Sequence, residues 1–415
     1  MKLKKIIVIG GGAAGMACAV FSARLGAEVI LFEKNEKLGK KLFITGKGRC
    51  NFTNVCSTDE LLENVVTNPR FLYSSFSSFS SQDAVSLFEG LGVRTKVERG
   101  RRAFPASDHS SDIIRALERE MQRLKVDVRL NSEVKELIIE DGAIKGVQLS
   151  DLGRHFSDAV ITATGGLSYP STGSTGDGYK FAKAAGARVT ETRPALVPME
   201  AKEDFVKQLQ GLSLKNITFT VKSGKKKLYS EFGEMLFTHF GVSGPVVISA
   251  SSKIGKKLEK EELTAEIDLK PALTSEQLDS RILRDFSEGM NRQFKNSLSG
   301  LLPAKLIPVI VSRSPIHPDT PINSISKWQR QELVNLLKRF TFTVTGLRPY
   351  TEAVVTQGGV NVKDIDPSTM ESKTVRGLYF TGEVLDVDAL TGGYNLQIAW
   401  STAYKAAVSA AGQEE

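Results

Sequence analysis

Four residues near the amino terminus have the types and spacing to bind a dinucleotide. Gly10, Gly12 and Gly15 form a GxGxxG pattern, and Glu33 follows further along the chain. Gly10 permits a tight turn, Gly12 lets the backbone approach a pyrophosphate, and Gly15 allows a helix to pack closely on a strand. The carboxylate of Glu33 can accept hydrogen bonds from the hydroxyls of an adenosine ribose.

A βαβ unit is needed to position these groups. Residues 4–33 predict a strand, a glycine turn, a helix and a second strand that ends at Glu33. The phosphates would then lie at the helix N-terminus, where unpaired N–H groups and the helix dipole favour an anion. A GxGxxG pattern alone is weak support, but here strand, helix, second strand and acid follow in register. The unit by itself leaves FAD and NAD open.

A second group of candidate residues follows in an ordered loop. Residues 38–54 are rich in Gly, Lys, Thr and Asn, which is typical of a loop with backbone donors and cations. We expect this loop to follow the cofactor, with Lys40, Lys41 and Arg49 available to phosphate or flavin oxygens. Cys50 is interpreted as a small residue packed beside the cofactor rather than a redox-active thiol, which would need an activating site.

Two later segments predict further backbone contacts. The strand before residue 163 ends in Thr164, Gly165 and Gly166, where a glycine backbone can approach a ligand. Residues 376–407 predict a strand, a turn with Gly382 and Glu383, and a GGYN turn that opens a helix. The free N–H groups of that second helix N-terminus suit the electron-rich pyrimidine edge of a reduced flavin. Two helix N-termini for two ends of one cofactor favour FAD over NAD.

The motifs resemble those of a bacterial FAD-binding flavoprotein family. They are GGGAAG, TGKGRCNFTN, LFTHFGVSGP, TQGGV, TMESK and GLYFTGEVLDVDALTGGYNLQ. Members of this family are called NAD(FAD)-utilising dehydrogenases, aminoacetone-oxidase-family FAD enzymes or BaiN-like reductases. The resemblance covers essentially the whole chain. It implies an α/β fold, in which a glutathione-reductase-type Rossmann FAD domain is interrupted by an inserted β-rich plus helical domain.

The resemblance also implies a set of cofactor-binding residues for tightly bound FAD. Together with the glycines at positions 10 and 15, they are Gly12, Ala13, Ala14, Glu33, Lys34, Lys41, Leu42, Gly48, Arg49, Cys50, Asn51, Val134, Ala163, Thr164, Gly165, Gly166, Gly382, Glu383, Asn395 and Leu396.

The domain boundaries are predicted from changes of pattern. We expect the FAD-binding domain to comprise residues 1–193 and 340–415. The alternation of apolar and polar residues predicts an inserted β-rich or barrel-like domain over 194–270, with a lysine-rich hairpin tip at 223–227. Helical spacing with Ser and Pro boundaries predicts an inserted helical segment over 271–339.

Two residues are candidates for catalytic roles. His239 lies in the FTHFGVSGP motif and could be a general acid, because imidazole titrates near neutral pH. The alternative, a purely structural role for His239, is slightly favoured. Tyr394, at the start of the last helix, is the second candidate.

Composition narrows the class of protein and its partners. The chain has 415 residues, a net charge of +8, three cysteines without a CxxC pair, four histidines and no HExxH motif. These features predict a cytoplasmic enzyme without a metal site, and no apolar run is long enough for a membrane span. The lysine runs at 225–227 and 256–260 are typical of hairpin tips or solvated helix faces, so no nucleic-acid partner is expected. The sequence leaves the oligomeric state open.

These observations predict an FAD-dependent oxidoreductase with a small organic substrate. FAD would be reduced by NAD(P)H, a transient reductant, and would pass the hydride to a substrate such as a conjugated alkene. The first alternative is an amine oxidase that uses O₂. The alternative of another class is a flavin-bearing RNA-binding or sensor protein.

Overall fold

The computed structural model describes residues 3–289 and 291–412, which divide into two compact units. The first unit comprises the chain up to Ala195 and from Tyr350 onwards. The second unit comprises Leu196–Pro349. Each unit has its own buried apolar core.

The strands of the described chain are β1 Lys5–Ile9, β2 Glu28–Phe32, β3 Thr53–Asn54, β4 Val65–Thr67, β5 Thr95–Glu98, β6 Arg102–Pro105, β7 Asp127–Arg129, β8 Val134–Glu140, β9 Ala143–Leu149, β10 Arg154–Phe156, β11 Ala159–Thr162, β12 Arg193–Ala195, β13 Met199–Ala201, β14 Ser213–Ser223, β15 Lys226–Phe237, β16 Gly241–Ser243, β17 Leu263–Asp268, β18 Phe340–Leu347, β19 Val355–Gln357, β20 Leu378–Phe380 and β21 Asp388–Ala389. The α-helices are α1 Ala13–Arg24, α2 Lys40–Ile44, α3 Thr58–Glu63, α4 Tyr73–Ser78, α5 Ser81–Gly90, α6 Ser110–Arg123, α7 Asp177–Ala184, α8 Asp204–Gln208, α9 Pro245–Leu258, α10 Ser275–Ser287, α11 Ile307–Arg313, α12 Lys327–Lys338 and α13 Tyr394–Ala410.

A parallel five-stranded sheet forms the centre of the first unit. Its strand order is β20-β11-β1-β2-β7, with Ile7 opposite Val160 on one side and Ile30 on the other. The central strand β1 is a continuous apolar run, KIIVI, and four of its five residues are buried. Such runs are typical of parallel strands covered on both faces. The carboxyl ends of these strands therefore lie along one edge of the sheet.

Smaller sheets complete the first unit. They are the antiparallel β10-β9-β8 meander, the β3-β6-β5 sheet and the pairs β12-β19 and β21-β4. In the β12-β19 pair, Arg193 lies opposite Gln357 and Ala195 opposite Val355. The chain therefore leaves the first unit and returns to it on neighbouring strands.

The second unit is built on a closed antiparallel barrel. Its strand order is β13-β16-β15-β14-β17-β18, and β18 closes the barrel by pairing with β13. Two differences from the predicted boundaries have physical causes. Residues 340–347, expected in the FAD-binding domain, are strand β18, because their alternating apolar side chains face the barrel core. Residues 245–258, expected to be β-rich, are helix α9, which starts at Gly244 (φ 100°) followed by Pro245 at the first helical position.

No helix of the described chain is both long and apolar enough to span a bilayer.

Candidate functional site

The glycine turn before α1 is shaped by close backbone packing. Gly10 has φ 102°, and a side chain there would meet the carbonyl oxygen of Ala163 at 2.6 Å. A Cβ at Gly15 would lie 1.8 Å from the carbonyl oxygen of Gly10, so helix and strand tolerate no side chain at this point. At Gly12 a Cβ would meet no atom within 4 Å. The three glycines thus have two different uses, packing and open space for a ligand.

The N-terminus of α1 is left without a protein cap. Gly12 is the N-cap residue, no side chain caps it, and the first turn contains no acidic residue. The N–H groups of the first turn have no intrahelical acceptor. Such an uncapped N-terminus is suited to a pyrophosphate.

Glu33 is held at the end of β2 by backbone donors. Its side chain accepts hydrogen bonds from the N–H of Gly11 (2.6 Å) and of Asn35 (2.8 Å). The residue is buried, with 8% of its surface exposed. A fixed carboxylate at this strand end can accept hydrogen bonds from a ribose.

A lysine–aspartate pair lies next to Glu33. The Nζ of Lys34 is 2.6 Å from Oδ2 of Asp177, and it also donates to Oγ1 of Thr175. Burial opposes ionisation of Asp177, but the hydrogen bond from Lys34 holds the pKa of that carboxyl below its ordinary value. Asp177 begins α7, so this pair ties two separate segments to the same part of the site.

A polar network joins four distant parts of the sequence. The Nζ of Lys41 donates to Oε2 of Glu383 (2.6 Å) and also to Oγ of Ser168. Oε1 of Glu383 accepts from Oγ of Ser168 and from the N–H of Thr356, each at 2.9 Å. Oγ1 of Thr356 accepts from the N–H groups of residues 167 and 168. The network fixes the positions of both Lys41 and Glu383.

The N-terminus of α13 is the second uncapped helix end. Its N-cap is Gly393 (φ 97°), which no side chain caps, and its first turn contains no acidic residue. The side chain of Asn395 bonds the backbone of Ala389 in both directions, at 3.0 and 2.8 Å. This end of α13 is therefore fixed and can bind an electron-rich group.

Both helix ends open into one cavity within the first unit. Fifteen of the 22 predicted cofactor-binding residues line it. They are Gly10, Gly12, Ala13, Ala14, Glu33, Lys34, Lys41, Leu42, Val134, Ala163, Thr164, Gly165, Glu383, Asn395 and Leu396. The sequence interpretation missed the other lining residues, which are Ile9, Phe32, Asn35, Thr45, Ser132, Glu133, Thr172, Gly173, Ser174, Asp177, Phe181, Val354, Val355, Thr381, Val387, Ile398 and Ala399.

Seven predicted cofactor-binding residues do not line the cavity. They are Gly15, Gly48, Arg49, Cys50, Asn51, Gly166 and Gly382. The guanidinium of Arg49 instead bonds Asp108 (2.6 Å) and Glu98, and it lies 4.3 Å from the ring centre of Phe104. Cys50 is fully buried, and burial raises the pKa of its thiol to about 12. A neutral, buried thiol does not act as a nucleophile.

The loop that carries these residues has an unusual backbone. Gly46, Lys47, Gly48 and Cys50 all have positive φ, at 61°, 57°, 85° and 58°. Lys47 and Cys50 have side chains that this conformation disfavours. Such strain is concentrated at ligand-binding segments.

The two candidate catalytic residues lie outside the cavity lining. Tyr394 packs against Gly392, and burial raises the pKa of its hydroxyl. His239 belongs to the second unit, where it is exposed in the turn between β15 and β16. Its ring centre is 4.9 Å from that of Phe240, over which the guanidinium of Arg348 stacks at 4.4 Å.

The residues present fit FAD. Two uncapped helix N-termini, a buried carboxylate at the ribose position and lysines at two points all line the same cavity. Among the described residues that line the cavity, Thr164 has a buried Oγ1 without a hydrogen-bond partner. Buried polar atoms without a partner are rare in folded proteins, so this oxygen is consistent with a ligand that supplies the missing bond.

Comparison with known proteins supports the same assignment. Residues 4–409 match the family model described as HI0933-like protein Rossmann domain. The chain is 36% identical over 407 residues to a ribosomal RNA dihydrouridine synthase from Haemophilus influenzae, with 97% of each chain covered. It is 32% identical over 413 residues to a 3-dehydro-bile acid delta(4,6)-reductase from Clostridium scindens, with 99% of each covered. The family resemblance seen in the motifs is therefore confirmed.

A solved structure confirms the predicted fold class. The 3-ketosteroid-delta4-(5alpha)-dehydrogenase from Rhodococcus jostii RHA1, in complex with 4-androstene-3,17-dione, aligns with a TM-score of 0.53. The alignment covers 100% of this chain and 98% of that one, at 15% identity. At this identity the similarity concerns the fold.

Proposed function

This chain belongs to the HI0933-like Rossmann family and is an FAD-dependent oxidoreductase, and we propose that it reduces a carbon–carbon double bond conjugated to a carbonyl group. The observation that carries the flavin chemistry of the proposal is the cavity with an uncapped helix N-terminus at each of two places, one for a pyrophosphate and one for the pyrimidine edge of a flavin. The type of bond is supported by the relatives.

The names of the two relatives point to one type of bond. A 3-dehydro-bile acid has a carbonyl at C3, and a double bond at C4 is conjugated to it. Dihydrouridine differs from uridine by two hydrogens across the C5=C6 bond, which is conjugated to the C4 carbonyl. Reduction of either bond by a hydride donor would place the hydride on the carbon distant from the carbonyl and a proton on the nearer carbon. The substrate class proposed here is defined by this shared bond.

Residues of the chain would bind and polarise the cofactor. FAD, when bound, supplies hydride transfer. The N–H groups at the start of α13 can stabilise negative charge at the pyrimidine edge, and Asn395 holds that helix end in place. Lys41 and Glu383, fixed by their mutual hydrogen bond, offer a donor and an acceptor to the same cavity. Glu33 offers an acceptor at the ribose end.

The reductant is proposed to be NAD(P)H. The sequence contains a single GxGxxG motif, so no second dinucleotide domain of the glutathione-reductase type is encoded by that pattern. NAD(P)H would therefore bind transiently. A cytoplasmic location is proposed as well, supported by three cysteines that are all unpaired.

An anaerobic titration of the purified flavoprotein tests the proposed function. NADH or NADPH should bleach the absorbance band of the oxidised flavin at about 450 nm. A conjugated enone or a uridine-containing RNA should then restore this band. Saturated analogues of the same compounds are the control and should leave the flavin reduced. Bleaching by small amines and not by either nicotinamide would overturn the proposal in favour of an amine oxidase.

A further inference from the structure

The second unit carries nearly all of the net charge of the protein. Residues 196–349 contain 23 Lys and Arg and 16 Asp and Glu, so +7 of the total +8 lies in this unit. The remainder of the chain is almost neutral. An excess of positive charge confined to one unit indicates a role for that unit in binding an anionic partner.

Seven lysines of this unit belong to two neighbouring elements. The turn of the β14–β15 hairpin contains Lys225, and Lys226 and Lys227 are the first residues of β15, paired with the end of β14. Helix α9 carries the other four, Lys253, Lys256, Lys257 and Lys260, on its last turns and just beyond its end. We call these seven residues the lysine surface.

Three contacts place the two parts of the lysine surface side by side. A Cβ at Gly233 would lie 2.5 Å from Val246, so the start of α9 packs against the far part of β15. The Nζ of Lys253 is 5.8 Å from the ring centre of Tyr229, closer to the tip. Helix α9 therefore runs along β15 toward the hairpin turn.

The third contact lies at the tip itself. The hydroxyl of Ser223 donates to the carboxylate of Glu261, which follows α9 directly. The end of α9 and the end of the hairpin are thus joined, so the seven lysines lie in one region of the second unit.

Glu259, Glu261 and Glu262 offset much of the charge at the end of α9, whereas residues 222–230 of the hairpin contain no acid. Within the described chain, six of the seven lysines have no ion-pair partner; the exception is Lys257, which is 3.0 Å from Glu261. Hydrogen bonds from Ser223 and Lys257 hold the pKa of Glu261 below its ordinary value. The next acid, Glu262, pairs with Lys202 at 2.9 Å.

Helix stability explains only part of the surface. Lys256 and Lys257 lie in the last turn of α9, where cations offset the negative end of the helix dipole. The three consecutive lysines of the hairpin have no such role. Like charges this close repel one another, so the cluster lowers stability unless an anion neutralises it.

We propose that the lysine surface binds the phosphodiester backbone of RNA. The inference rests on the proposed function and narrows it, because it makes the reducible bond that of a uracil base within an RNA chain. Lysine ammonium groups bind phosphates as point charges and do not read base sequence. The surface would therefore hold the RNA, and the choice of base would be made elsewhere.

Binding to in vitro transcribed ribosomal RNA at several salt concentrations tests the inference. For the native protein, log K should fall linearly with log salt, by about 0.7 to 0.9 for each phosphate neutralised. The triple variant K225A/K226A/K227A should bind at least about tenfold more weakly at 0.1 M salt, and its salt slope should fall by about 2. The control K207A/K295A/K327A removes three exposed lysines of the same unit outside this surface.

Equal losses in the two triple variants, or no RNA binding by the native protein, would overturn the inference. Retention on phosphatidylserine vesicles that depends on the same lysines, without RNA binding, would also overturn it and assign the surface to a membrane. Turnover of a small enone is measured in parallel. Enone reduction without RNA binding would refute the lysine surface alone, whereas lysine-dependent RNA binding without reduction of any conjugated bond would refute the proposed function alone.

Discussion

Glu33 shows how a single acidic residue can be prepared for a ligand by the backbone around it. Its carboxylate already accepts two backbone N–H groups, from Gly11 and Asn35, and is largely buried. These bonds hold the side chain at the strand end before any ligand is bound. Arg49 is the opposite case, because its own ion pairs with Glu98 and Asp108 hold it away from the cavity lining.

We expect E33Q to weaken FAD binding by about 10- to 100-fold, the usual effect of losing hydrogen bonds to a charged acceptor. FAD titration of the stripped apoprotein, followed by flavin fluorescence, gives the dissociation constant. The control is E28Q, the same chemical change at the exposed start of the same strand. Equal affinities for E33Q and E28Q would show that Glu33 does not hold the ribose.

Substitutions in the glycine turn that joins β1 to α1 can test the packing role and the ligand-binding role of its glycines separately. A Cβ at Gly12 meets no atom within 4 Å, whereas a Cβ at Gly15 would lie 1.8 Å from a backbone oxygen. Gly12 has φ −81°, which alanine adopts without strain.

G12A should leave the apoprotein as stable as the native one, or up to about 1 kcal/mol more stable, and should lower FAD affinity because the methyl group takes the place of the pyrophosphate. G15A should lower the free energy of unfolding by about 3 kcal/mol or more, the cost of overpacking against fixed backbone. Urea unfolding of both apoproteins, together with FAD titration, checks the pair. A loss of stability in G12A as large as that in G15A would contradict this account.

An ion pair between a buried carboxylate and partly exposed arginines ties α1 to α6. Glu120, which is 6% exposed, pairs with Arg24 at 2.7 Å and with Arg123 at 2.7 Å. The hydrogen bonds from Arg123 and Arg24 lower the pKa of Glu120 from 4.5 to about 2. Because the pKa is lower in the folded protein, the carboxylate stabilises the fold above about pH 4.5, and this contribution is lost as the pH falls toward 2.

E120Q should therefore lower the free energy of unfolding by about 2 kcal/mol at pH 7, and the difference from the native protein should shrink below pH 4.5. Denaturant unfolding at pH 7, 4.5 and 3.5 measures this difference. E118Q, on the same helix, is the matched control, because burial raises the pKa of Glu118 instead of lowering it. This substitution should change the free energy of unfolding little at any of these pH values. A constant penalty for E120Q across the series would contradict the pKa argument.

Local patterns could be predicted from the sequence, whereas contacts between distant segments could not. The βαβ unit and the strand that ends at Thr162, just before Thr164, depend on residues close in sequence, and the predicted fold class is confirmed. The network of Lys41, Ser168 and Glu383 joins residues up to 342 positions apart, and nothing in the local sequence marks Ser168. The alternation in β18 predicts a strand but does not tell which sheet contains it.

Among the described residues, each unit has a large apolar core of its own, and the two cores share no residue. One core extends over the first unit and the other over residues 199–344 of the second. All the residues that line the cofactor cavity belong to the first unit. FAD should therefore stabilise one core directly.

In calorimetry of the apoprotein we expect two unfolding transitions. Added FAD should raise the midpoint temperature of only one of them. At a free concentration 100 times the dissociation constant, the bound cofactor should add about 2.7 kcal/mol to the stability of the first unit. The lysine-surface variant K225A/K226A/K227A should leave that FAD-dependent transition unchanged, since its substitutions lie in the other unit. A single transition that shifts as a whole with FAD would show that the two cores unfold cooperatively.

The barrel starts and ends on hydrogen-bonded neighbours. Met199 in β13 lies opposite Leu347 in β18, and the N–H of Arg348 donates to the carbonyl of Pro198 at 3.0 Å. The first unit has the same arrangement on either side of the insertion, where Arg193 in β12 is paired with Gln357 in β19. Because its two ends are adjacent, the inserted unit could be replaced in evolution by a short hairpin or by a different domain. Either exchange would leave the strand register of the flavin-binding sheet unchanged. Relatives that share the host and act on unlike molecules could thus have diverged mainly within the insert.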